Sequence, residues 1–191
     1  MQEIALMLVA TALVNNIVLS QLLGVSSLVA QSARIEGALR LAAATAALLL
    51  VGAAGNYPIH RWLLQPLDLE LFALPVAVLW IALAAALIDI AAQRIDTRLH
   101  LALARQRPLA IANSAVLGTA LLHAERSGSL AAALGNAIGV AVGFALVLVL
   151  FAGVRERLEA IAVPETFRGT PITLLSAGLM ALAFLGFARM A

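Results

Sequence analysis

Few side chains in this sequence can do chemistry, and most of them sit where hydrocarbon surrounds them. Asn15 and Asn16 interrupt LVNNIVL, and Asn113 and Ser114 interrupt AIANSAVLG, within runs that carry no charge. A side-chain amide or hydroxyl in lipid needs a partner, and helix breaks release backbone carbonyls that such groups can satisfy. The three asparagines therefore act either as interhelical glue or as the lining of a functional centre at a midplane break. Asp89 is the one acid placed well within an apolar run. It is either an interfacial carboxylate paired with Arg94 or part of an ion or proton path. His60, His100 and His123 share no ligand spacing, and cysteine is absent, so disulfides and thiolate metal sites are excluded for this chain. No catalytic residue stands out. The sequence has no Walker loop, dinucleotide fingerprint, HExxH or nucleophile elbow, and its polar loops are too short for a cofactor domain. Any catalysis must be shared with other chains.

The elements that position these groups follow from composition. Of 191 residues, 63% are apolar and only 12% charged, about half the charged share of a soluble domain. A hydrocarbon core of ~30 Å takes about 20 apolar residues per helix. The expected class is an all-α integral membrane protein in the lipid bilayer. The first run lacks a basic leader and carries Glu3, so it reads as a span rather than a cleavable signal. All twelve basic residues are arginine, scattered between apolar runs without interleaved aromatics. That pattern argues against nucleic-acid binding and for loop charge facing one leaflet.

Six spans are expected. The first lies within residues 4–33, interrupted at Asn15–Asn16 and at Gly24, Val25, Ser26 and Ser27. The others fall near residues 41–61, 71–92, 108–122, 129–154 and 170–188, with the fourth the shortest. Arginines 34, 40, 94, 98, 105, 107, 155, 157 and 168 fall on one side, and only Arg61, Arg126 and Arg189 on the other. The positive-inside rule then puts the nine in the cytoplasm and both termini in the periplasm.

The motif N-x-x-V-L occurs twice, as NNIVL from Asn15 and NSAVL from Asn113, 98 residues apart. Three spans per half is an odd number, so the second copy enters the membrane from the opposite face. One transmembrane domain built of two inverted three-helix repeats is expected, about 1–97 and 98–191, with broken half-helices in spans one and four. Gly135, Gly139 and Gly143 recur every four residues on span five, which permits close helix approach within the subunit or at a subunit interface. Trp62 suits a headgroup belt and Trp80 a packed helix.

The stretches LVNNIVLSQLLG, NSAVLGTALL, VGFALVLVLFAGVRERL and VPETFRGTPITLLSAGLMALAFLGF closely resemble the family of A-type subunits of the Rnf complex. That family is homologous to the E-type subunit of the sodium-translocating NADH:quinone oxidoreductase. The resemblance runs from about residue 13 to 187. It implies a six-helix inverted-repeat subunit of the bacterial inner membrane, paired with its E-type sister and other Rnf subunits. It further implies a complex that couples electron transfer between ferredoxin and NAD to sodium or proton translocation, of which this chain would be a non-autonomous subunit. In the family, each sister gives two cysteines to a two-iron two-sulfur cluster, in motifs like LGLCP and TNCAVLG. Aligned onto this sequence, those positions are Ser26 and Ser114. The drift extends to their surroundings: Ser27 replaces the proline, Ile111 and Ala112 stand for threonines, and Arg105 and Arg107 occupy apolar positions. Thiolates hold iron–sulfur clusters, and a serine hydroxyl is a harder, rarer ligand. Two functional classes follow: an Rnf-type subunit with altered electron flow, or a non-redox scaffold or small transporter that keeps the inverted repeat.

Overall fold

The computed structural model describes residues 11–12, 16–126, 128–161 and 163–188, the side chains at 98–99, 102, 123–126 and 187–188 excepted. Asn15 and the first ten residues lie outside that set. Every regular element among the described residues is helical: α1 (Ile17–Gln21), α2 (Val25–Gln31), α3 (Ile35–Ile59), α4 (Ala73–Ile95), α5 (Thr97–Ile111), α6 (Ser114–Arg126), α7 (Leu130–Glu159) and α8 (Thr170–Ala188). A π-helical turn, His60–Leu64, continues α3 directly, and a 3-10 turn, Glu70–Phe72, leads into α4. Among the described residues, three continuous segments are long and apolar enough to cross a bilayer: Ile35–Leu64, Glu70–Ile95 and Leu130–Glu159. Thr170–Gly186 is a shorter apolar helix.

The length of α3 and α7 reflects their composition. Both are rich in alanine and leucine, strong helix formers that lose little rotamer freedom in a helix, while the glycines and valines of α7 hold their helix through packing in the bilayer. Pro58 has no N–H to give the preceding turn, and the backbone re-forms its bonds in the wider π-helical turn that follows. Helices α3 and α7 form the central pair. Leu41, Thr45, Leu48 and Leu49 of α3 and Val140, Phe144, Val147, Leu148 and Phe151 of α7 are all buried in the core. Interspersed Ala38, Ala42, Ala137, Ala141 and Ala152 are buried too. Small residues let two backbones approach where lipid offers no hydrophobic drive for association.

The outward faces are also apolar. Leu79 and Leu83 on α4, and Leu179, Leu182 and Leu185 on α8, are exposed. Such a perimeter suits contact with hydrocarbon or with the apolar face of another subunit. Trp80 points inward as the sequence implies: its Nε1 donates to the Gly52 carbonyl at 3.0 Å. A Cβ at Gly55 would stand only 1.9 Å from its ring, so α4 crosses α3 at a glycine. Trp62, by contrast, is 75% exposed.

The span expected over 108–122 is divided differently. Pro108 does not open a helix; it lies in the last turn of α5, and the chain breaks at Ala112–Asn113 before α6 begins. Arg105 and Arg107 consequently ride on a helix packed against α3 and α4 rather than in a free loop.

Candidate functional site

The first helix break is built by one asparagine and one glycine. Asn16 is 2% exposed, and its Oδ1 accepts from the backbone N–H groups of Val18 (3.0 Å) and Leu19 (3.4 Å), capping α1. Capping satisfies donors that a helix start leaves orphaned. Its Nδ2 donates to the carbonyls of Ala12 (2.7 Å) and Gly143 (3.0 Å), fastening the break to α7. Helix α1 ends after five residues at Leu22, which adopts the left-handed region at φ 56°. Gly24 follows at φ 84°, and a Cβ there would stand 2.8 Å from Asn113 Oδ1. Only glycine meets both demands.

The second break repeats the device. Asn113 is fully buried, and its Oδ1 accepts from the Ala115 N–H at 3.0 Å, two residues ahead, as Asn16 does with Val18. Asn113 thus accepts with the same two-residue step as Asn16, the chain neighbour of the letter-matched Asn15. Unlike Asn16, Asn113 leaves its Nδ2 without a hydrogen-bond partner among the described residues.

The two breaks touch. The Gly24 N–H donates to Ser114 Oγ at 2.8 Å, and Ser27 Oγ reaches the Leu109 carbonyl at 3.4 Å. Ser26, in the first turn of α2 two residues beyond Gly24, and Ser114, at the first residue of α6, are both exposed on the chain's surface. Four of the singled-out residues, Asn16, Ser26, Asn113 and Ser114, thus belong to two adjoining breaks.

Asp89 lies elsewhere, on α4 facing α5. Its Oδ2 accepts from Arg107 Nη1 at 2.7 Å and from Gln93 Nε2 at 3.4 Å. His100 Nδ1 lies 3.0 Å from Oδ1 without hydrogen-bond alignment. The partner is Arg107, not Arg94, because one turn of α5 passes directly across the acid. A cavity of about 30 Å³, bordered by Leu48, Ile88, Asp89, Leu103 and Arg107, adjoins the pair; that is room for a water or two.

Sequence reasoning missed three structural roles. Gly24 was readable from LLGVSS only as a break, not as the residue that meets Ser114. Arg155 Nη1 donates to both the Val29 carbonyl and Ser32 Oγ at 2.9 Å, tying α7 to the end of α2. Asn56 Nδ2 donates to the Ala120 carbonyl at 2.7 Å, tying α3 to α6. The signal for Asn56 was its isolation in an alanine-rich span.

Two kinds of similarity bear on this geometry. A family model described as Rnf-Nqr subunit, membrane protein, matches residues 4–191. The A-type subunit of the ion-translocating oxidoreductase complex of Rhodobacter capsulatus is 40% identical over 188 residues, 98% of this chain and 97% of that one. The subunit of the same name from Cereibacter sphaeroides is 39% identical over 191 residues, covering 100% and 99% of the two chains. That of Alkalilimnicola ehrlichii is 40% identical over 188 residues, covering 98% and 97%.

Proposed function

The chain belongs to the Rnf-Nqr family of membrane subunits, and we propose that it serves as the A-type subunit of an Rnf-type complex that couples electron transfer to ion translocation. The observation that carries this reading is similarity over nearly the full length of proteins bearing that name. The meeting of two asparagine-capped breaks supports the finer architecture, six spans in two inverted repeats related across the Gly24–Ser114 contact. In this reading the electron carriers are ferredoxin and NAD, the coupling ion is sodium or a proton, and the partner across the exposed Ser26–Ser114 face is the E-type sister. The membrane is the bacterial inner membrane, with the arginine-rich side cytoplasmic and both termini periplasmic. Asp89 is engaged by Arg107, so its place in an ion or proton path depends on that pair opening.

The donors at the centre do not fit a two-iron two-sulfur cluster. Ser26 and Ser114 offer hydroxyls where soft thiolates are needed, and the Ser114 oxygen is already an acceptor for Gly24. No group of three or more His, Asp or Glu side chains suited to a metal occurs among the described residues. This mismatch favours a second reading, a scaffold or small transporter that carries no electrons.

Purification of the complex through a tag on another of its members, followed by a subunit inventory with iron and sulfide analysis, separates the two. Presence of this chain is expected, with no conventional four-cysteine signal at this site, and its absence from the complex would overturn the primary reading. The double change Ser26→Cys and Ser114→Cys should introduce or strengthen iron–sulfur absorption, each single change much less. A normal cluster signal at this site in the unmodified complex would refute the mismatch.

A further inference from the structure

Where α7 ends and α8 begins, the chain encloses a cleft of about 270 Å³ that the proposed electron-transport role does not use. Arg155 and Glu159 of α7 and Arg168, just before α8, supply its charges. Leu158, Ile161, Val163 and Ile172 supply its apolar wall. We propose that this cleft binds an anionic phospholipid by its headgroup, the phosphodiester meeting Arg155 and Arg168 and the apolar wall meeting the first methylenes of the acyl chains.

Three observations carry the assignment. The first is the state of the arginines. Arg155 is half-buried, with both Nη1 hydrogens held by Val29 and Ser32. Its plane is thereby fixed while Nη2 and Nε remain as donors without a partner among the described residues. Neither Arg155 nor Arg168 belongs to an ion pair among the described residues. A preset guanidinium with open donors suits a phosphate oxygen pair.

The second is charge. Two arginines and one glutamate leave the lining with a single positive charge, which one phosphodiester neutralises. Glu159 then accepts from hydroxyls of the headgroup, which favours a glycerol headgroup over choline, whose quaternary ammonium has no proton to donate. The third is depth. The cleft lies at the end of a 30-residue apolar helix and beside the start of another, at the boundary where headgroups and arginines coincide. A mixed lining of charge and aliphatic carbon matches a lipid better than a free anion.

Photoreactive phosphatidylglycerol, incorporated into membranes containing the full-length chain in its complex, is the test. Peptide mapping should place cross-links within residues 158–172, and a choline analogue with the same acyl chains should label them roughly tenfold less. Arg168 is exposed and its side chain bonds to no neighbour among the described residues, so Arg168→Gln should leave the fold intact and lower labelling by a similar factor. Glu159→Gln should preserve labelling or raise it, because the amide oxygen still accepts and the like charge is gone. Equal labelling by the two lipids, or indifference to Arg168→Gln, would overturn the proposal. So would competition by inorganic phosphate, which would mark a free-anion site, or cross-linking of a neighbouring subunit that covers the cleft instead.

Discussion

Asn16 and Asn113 show how the same residue, placed at two helix breaks, holds different energetic positions. Asn16 makes four hydrogen bonds from a buried side chain, one of them reaching across to Gly143 of α7. Asn113 makes one among the described residues and buries an amide hydrogen pair that finds no partner there. Truncating a satisfied buried group exposes its partners' unmet demand, whereas truncating a half-satisfied one also removes its own. Asn16→Ala should therefore cost about 2–4 kcal/mol and Asn113→Ala about 1 kcal/mol, summing cap and buried-bond losses. Equilibrium unfolding in mixed micelles measures the difference, and equal losses would contradict the bond inventory. At this scale the sequence revealed which residues mattered better than what they touched. The polarity of Asn113, Ser114 and Asp89 against an apolar background was visible. The partner of Asp89 was not, because both Arg94 and Arg107 are near enough along the chain and only the packing of α5 across α4 selects Arg107.

Among the elements, α7 carries the clearest test of packing. A Cβ on Gly143 would stand 2.9 Å from the Ala12 carbonyl and from Asn16 Nδ2, and 3.0 Å from Ala12 Cα. On Gly139 it would meet the Thr11 side chain at 2.8 Å. The glycine stripe at these two positions thus serves contact within the subunit. Gly143→Ala should destabilise by about 1–3 kcal/mol, since backbone rather than a movable side chain stands in the way. Gly178→Ala on α8, where nothing lies within 4 Å, should be neutral or gain up to about 1 kcal/mol from helix propensity. Thermal unfolding of the two variants side by side decides it; a harmless Gly143→Ala would place α1 differently against α7. The long helices were legible because twenty or more apolar residues between charges leave no alternative in lipid. The break at Ala112–Asn113 was legible in position but not in form. Proline favours first turns, which makes Pro108 look like a start, yet α5 already extends from Thr97 and tolerates it near its end.

Across the whole molecule, the charge asymmetry makes a statement about sidedness that the absence of cysteine renders easy to check. Trp62 lies near the end of the Ile35–Leu64 span and is 75% exposed, and Arg157 is exposed near the end of α7, beside the start of α3. Single cysteines placed by Trp62→Cys and Arg157→Cys should react with an impermeant thiol reagent from opposite faces of intact cells and inverted vesicles. Reaction from the same face would refute the six-span path. What neither composition nor periodicity could supply is how the two helix breaks meet, since that depends on a backbone amide of one reaching a side chain of the other.

That junction has a temporal consequence. The Gly24 amide proton is held by a hydroxyl ninety residues away rather than by its own helix. Its exchange with deuterium therefore reports how often the contact between the two breaks opens, independently of fraying within α1 or α2. In Ser114→Ala the Gly24 amide should exchange roughly tenfold faster, the loss of one modest hydrogen bond, while the Leu28 amide, bonded to Gly24's own carbonyl at 2.9 Å, keeps its protection. Two neighbouring protons would then serve as paired clocks, one timing the centre and the other the helix beside it.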